Sequence, residues 1–188
     1  DMVYREDMPE QVLAAFEEHP EADVILFGLE MTKEGKVYET RTEPWHRLRV
    51  RNAMRYGAAR MAVRHSALLD RNITFHQRFG GGCPFSAGED SLFLKNCFDR
   101  GLKVYAHPYV LGTCCKDSSS WFVGYNDKYF YDKGVLVRHL FPRMAYIMAL
   151  YFGACFKRET TVGLFRRLRL VYAGVRGAKQ MVPYSERV

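Results

Sequence analysis

Acidic residues all but vanish from the last third of this chain. Residues 133–188 hold 2 Asp/Glu against 11 Lys/Arg, while the preceding 132 residues hold 19 against 17. The formal net charge of +7 therefore belongs wholly to the C-terminal segment. Such asymmetry fits an anionic membrane surface or a nucleic acid, or a basic tail shed from a core. Cysteine is sparse too. The five are Cys83, Cys97, Cys114, Cys115 and Cys155, an odd number with no C-x-x-C pair. That argues against a disulfide framework and for reduced thiols in a cytoplasmic setting. The vicinal Cys114-Cys115 reads either as small apolar residues on a strand or as a redox pair. None of the six histidines has zincin or zinc-finger spacing, so no structural zinc is assigned. The triplet Gly80-Gly81-Gly82 is not followed by Gly-Lys-Ser/Thr, which excludes a P-loop. The uncharged run from Met144 to Phe156 falls short of the ~20 residues that span a bilayer. The first residues are acidic and polar, without the apolar stretch of a signal peptide. Neither an internal repeat nor a long linker is visible.

What is present suffices for one domain with a core: 188 residues, 48% apolar. Pro9 to Glu18 reads as a helix, with Pro in the first turn and Val12-Leu13 and Ala15-Phe16 at helical spacing. His19-Pro20 ends it. Val24 to Leu29 is a continuous apolar run of strand length, read as a buried strand. A turn at Lys33-Glu34-Gly35-Lys36 returns into a second strand, Val37 to Thr42. Ala58 to Val63 reads as a strand, and Ser66 caps a short helix, Ala67 to Asp70. Ser91 to Asp99 is a helix stopped at Gly101. Strands follow at Val104 to Ala106 and Tyr109 to Cys115, on either side of Pro108. Ser118-Ser119-Ser120 is a polar turn. From Asn126 the chain reads as helices, broken near Pro142 and Gly163. The class is mixed α/β: a short mixed sheet flanked by helices, then a helical C-terminal segment.

The most informative stretch is Phe79-Gly80-Gly81-Gly82-Cys83-Pro84-Phe85-Ser86-Ala87-Gly88-Glu89-Asp90. Three consecutive glycines allow positive φ and close backbone approach. The bend delivers two adjacent carboxylates to the start of an apolar helix, where acidic residues also simply favour the helix dipole. Around it lie Tyr56 to Ser66, then Gly101-Leu102-Lys103-Val104-Tyr105, Ser118-Ser119-Ser120-Trp121-Phe122 and Lys128-Tyr129-Phe130-Tyr131-Asp132-Lys133-Gly134. This ordered series resembles the second half of inverting family 2 glycosyltransferases of the GT-A type, especially bacterial ones that build surface polysaccharides. The likeness covers positions 1 to 135 well and the rest loosely. Gly88-Glu89-Asp90 matches the family's Glu-Asp motif, in which the Asp is taken as the base that deprotonates the acceptor hydroxyl. The family's first half, a βαβ nucleotide-binding unit ending in an Asp-x-Asp motif, has no counterpart here. The resemblance therefore implies the C-terminal portion of a larger enzyme. Asp1 would be the last residue of that motif and a ligand of a divalent metal, Mg²⁺ or Mn²⁺. The stretch after Tyr109 offers no His as a further ligand.

Inverting transfer needs one base and charge neutralisation at the leaving diphosphate. Asp90 is the candidate base, aimed by the Gly80–Gly82 bend, with Gly81 and Gly82 beside the substrate. Glu89 either hydrogen-bonds the acceptor or serves the helix start alone. Arg60 and Arg64, an even number apart on an expected strand, share a face. One of them approaches the diphosphate or stabilises the acidic pair, or else the two form a solvated basic face. Ser120 and Trp121, with Phe122, offer hydroxyls and a stacking platform for an acceptor sugar, or local capping and core packing.

In the C-terminal segment, Leu164-Phe165, Leu168, Val171-Tyr172 and Val175 alternate with Arg166, Arg167, Arg169 and Arg176. This basic amphipathic helix fits an anionic membrane surface, or else covers the core and exposes a solvated face. The expected organisation is an acceptor-binding, base-bearing unit over 1–132 and a basic helical extension over 133–188. The expected function is the acceptor half of a transferase using a nucleotide-sugar donor and a glycan or lipid-linked acceptor. It would sit in the cytoplasm, peripheral on the inner face of the cell membrane. The alternative is a non-catalytic basic module on an anionic membrane. Nucleic acid is not the expected partner, because the basic residues lie with apolar helix faces rather than with stacking aromatics on a sheet.

Overall fold

A computed structural model describes residues 2–115, 124–156, 158–181 and 184. The expected Ser118–Ser120 turn lies outside them. The class is mixed α/β, with a six-stranded mixed sheet and seven α-helices among the described residues. The chain divides into two compact units, one of residues 1–75 and 93–119, the other of 76–92 and 120–188. The expected boundary after residue 132 instead falls inside a helix, and the glycine-rich stretch groups with the C-terminal helices.

The first unit holds the whole sheet. Its strands are β1 (Met2–Tyr4), β2 (Val24–Lys33), β3 (Lys36–Arg41), β4 (His46–Arg47), β5 (Met61–Val63) and β6 (Val104–Cys115). The main path is β1-β6-β2-β3, with β4 on β6 and β5 on β2. Among the described strands of this sheet, β2 and β6 pair in parallel and the other pairs are antiparallel. Strand alternation sorts the side chains to two faces. Val24, Leu26, Val104 and Ala106 face one core with α2 (Val50–Ala53), α3 (His65–Asp70) and Phe93, Leu94 and Cys97. Ile25, Phe27 and Leu111 face the other, against Ala15 of α1 (Met8–Glu18). Burial on both faces explains why β2 reads as a continuous apolar run rather than an alternation.

Several elements differ from expectation. β2 runs on to Lys33 because it pairs with β3 as a hairpin. β6 is one strand, not two. The β2/β6 register shifts between the pairs Leu26–Ala106 and Gly28–Val110, and that irregularity accommodates Pro108, which has no N–H for the ladder. Ala58 to Val63 is not one strand but a 3-10 turn, Ala58–Arg60, followed by β5. Ser66 does not cap α3. That helix starts at His65, with Arg64 at the cap position and no side-chain capping bond.

The second unit is a helical cluster. Its helices are α5 (Asp127–Leu140), α6 (Ala145–Ala154) and α7 (Leu164–Gly177), with breaks near Pro142 and Gly163 as read from the sequence. Asn126 caps α5 by accepting from the Tyr129 N–H at 3.0 Å. α5 and α7 cross at glycines. A Cβ on Gly134 would lie 2.0 Å from the Val171 carbonyl oxygen, and one on Gly174 would lie 2.1 Å from that of Tyr131. The missing side chains let the two backbones touch. Phe130, Val137, Ala149, Val171 and Val175 fill the space around the crossing.

Candidate functional site

The glycine-rich stretch is a small closed loop. The Gly80 N–H donates to the Phe85 carbonyl at 2.9 Å, and the Phe85 N–H donates to that of Arg78 at 3.1 Å. The Phe79 and Phe85 rings meet at 4.9 Å and are buried with Tyr131, Val135 and Leu136 of α5. This apolar base leaves Gly81 and Gly82 exposed at the tip. Gly80 has φ +118°, and the Glu89 side chain packs on it: a Cβ there would stand 3.2 Å from Glu89 Cδ. Gly88 has φ +117°. Its carbonyl accepts the Leu92 N–H at 2.9 Å, the first helical bond of α4 (Glu89–Asp99). α4 thus starts two residues earlier than expected, and Glu89 and Asp90 occupy its first turn. Both are half-buried.

Two residues without a role at the sequence level hold this loop in place. Asp132 on α5 is buried, at 5% exposure. Its Oδ2 accepts from the Ser86 N–H at 3.0 Å, from Ser86 Oγ at 2.9 Å and from the Lys128 ammonium. Lys128, one turn earlier, also donates to the Pro84 carbonyl at 2.9 Å and to Ser86 Oγ at 2.7 Å. Asp132 Oδ1 is buried and has no hydrogen-bond partner among the described residues. The i, i+4 spacing of Lys128 and Asp132 was the available signal. It announces a helix-surface ion pair, not a clamp on a loop some 45 residues away. Next to Asp132, Lys133 places its ammonium 4.8 Å from the centroid of the Phe152 ring, and burial lowers its pKa. The Cys97 thiol is pushed up to about 12 by burial, which makes it an inert core residue.

The arginine expectation is corrected. Arg60 and Arg64 do not share a strand face, because the first ends the 3-10 turn and the second precedes α3. Arg60 is buried. It donates to the carbonyls of Phe27 at 2.8 Å and Arg41 at 3.0 Å, with its guanidinium carbon 4.1 Å from the Tyr56 ring centroid. Arg64 donates to the carbonyls of Ala22 at 2.8 Å and Phe16 at 2.7 Å. Both tie backbone segments of the first unit together. The glycine bend, Glu89 and Asp90 are brought together in the second unit. Asp1, Ser120 and Trp121 lie outside the described residues. Among those described, no group of three His, Cys, Asp or Glu could hold a metal ion.

No protein-family model matches this chain, and no curated protein matches it. Among the described residues no helix is long and apolar enough to cross a membrane.

Proposed function

We propose that this chain is the acceptor-side portion of an inverting nucleotide-sugar glycosyltransferase, with Asp90 as the general base. The observation that carries the reading is the clamped glycine loop, whose end sets Glu89 and Asp90 side by side in the first turn of α4. The order of motifs along the sequence supports it. A base must be held in one place to take a proton as the bond forms; the clamped loop-to-helix junction fixes the backbone that carries this carboxylate. Asp90 takes the proton of an acceptor hydroxyl. The hydroxyl oxygen bonds to the anomeric carbon, the bond from that carbon to the nucleoside diphosphate breaks, and the configuration inverts. Glu89 orients the acceptor or the loop. Gly81 and Gly82, exposed at the tip, let an acceptor approach the backbone, and Ser120 and Trp121 would contribute hydroxyls and a stacking face.

The described residues do not by themselves form a divalent-metal site; Asp1 is the residue that the resemblance assigns to one. The test uses the complete polypeptide that the gene encodes, supplied with nucleotide sugars and glycan or lipid-linked acceptors. The expected product has the anomeric configuration opposite to the donor's, read by proton NMR. A retained configuration, or no transfer across donor classes, contradicts the proposal.

A further inference from the structure

α6 is apolar all round, yet only half of it is covered. Ala145, Ala149 and Gly153 are buried along one stripe, and Leu168 of α7 lies where a Gly153 side chain would be. Tyr146, Ile147, Leu150 and Tyr151 form the opposite stripe and are exposed, Ile147 by 64%. Positions three and four apart share a helix face, so these four make one continuous surface. Met144 precedes them, also exposed. The Tyr146 and Tyr172 rings lie 5.7 Å apart. With the Gly153–Leu168 contact, this makes α6 and α7 an antiparallel pair and sets the start of α7 beside the end of α6. There Leu164 and Phe165 are exposed, Phe165 by 86%. A helix hydrophobic on every side is ordinarily buried on every side, and a contiguous exposed apolar patch marks an interaction surface.

The charge around the patch selects its occupant. Arg143, Arg158, Arg169 and Arg176 are exposed in the same helical pair and its flanks, within a segment that holds 11 Lys/Arg and 2 Asp/Glu. A second copy of this face would bring one arginine rim against another, which like-charge repulsion opposes. An anionic bilayer meets both features. Apolar side chains enter the acyl boundary, tyrosines sit at headgroup level, and arginines reach lipid phosphates.

We infer that the exposed stripe of α6, with Leu164 and Phe165 of α7, is a docking surface for an anionic lipid bilayer, on which the two helices lie flat. This surface stands apart from the transferase reading and holds whether or not that reading does.

The test is co-sedimentation of the full chain with phosphatidylcholine vesicles, with and without phosphatidylglycerol. Binding is expected to the anionic vesicles. It should weaken severalfold as ionic strength rises from about 0.1 M to about 0.5 M. It should drop at least about tenfold in the double variant Ile147→Glu/Leu150→Glu, which loses the inserted apolar surface. Both positions are exposed, so the melting temperature should hold; if it does not, Ile147→Ser/Leu150→Ser makes the same comparison. Absence of binding overturns the inference. So does equal binding by the variants, which would reduce the contact to charge alone. A wild-type dimer that these variants convert to monomer overturns it as well, because the face would then belong to a second copy.

Discussion

At the residue scale, Asp132 gathers three donors on one carboxylate oxygen while its other oxygen is buried with no partner among the described residues. Replacing it with Ala strands the Ser86 N–H and leaves Lys128 beside Pro84 and Ser86 without its counter-charge. Lost partners of this kind cost about 1–3 kcal/mol, and the half-exposed Lys128 recovers part of that from water. Asp132→Ala should therefore lower the melting temperature and speed hydrogen exchange at the Ser86 amide more than at sheet amides such as that of Ile25. Lys133 presents the opposite case. Its pKa is lowered by burial, so the folded protein bears a charged group that it solvates poorly. The penalty is full at neutral pH and fades as pH rises through the depressed pKa toward the ordinary lysine value. Lys133→Met keeps the stem against Phe152 and removes the charge. It should raise the melting temperature at pH 7, with the gain shrinking under alkaline conditions.

At the scale of elements, the α5/α7 crossing depends on two glycines that sequence alone marks as breaks or costs in helices. A methyl group at Gly174 would overlap the Tyr131 carbonyl, a backbone atom that cannot turn aside. Gly174→Ala should cost about 1–3 kcal/mol or more, read from chemical denaturation, despite the better helix propensity of Ala. The elements divide by how local their causes are. α1, the start of β2, and α5 to α7 were legible, because Pro in the first turn, apolar period and glycine or proline breaks act within a few residues. Pro108 divides β6 in two when the chain is read locally, because the irregular β2/β6 register that accommodates proline is a property of the pair. Arg60 and Arg64 read locally as residues of one strand, because the pull of the Phe27, Arg41, Ala22 and Phe16 carbonyls is tertiary. For the same reason the Glu89-Asp90 pair and its glycine bend stood out in the sequence, while the Lys128–Asp132 clamp did not.

At the scale of the whole molecule, the chain distributes its features unevenly between two units. The sheet, Arg60 and Arg64 belong to the first; the glycine loop, Glu89, Asp90, the clamp and the basic helices belong to the second. The carboxylate proposed as the base and a basic, partly uncovered helical pair thus share one unit. If the chain belongs to a transferase, the unit that carries the base is also the one suited to a lipid surface, a fitting arrangement for a lipid-linked acceptor. The central claim is that Asp90 accepts the proton of the acceptor. The measurement that tests it most directly is the turnover number of the Asp90→Asn variant of the complete polypeptide, taken beside its melting temperature and vesicle binding. Asn keeps the shape and removes the base. The account predicts that kcat falls by about 10²–10⁴-fold, with folding and vesicle binding unchanged. An unchanged kcat in a folded variant would contradict it.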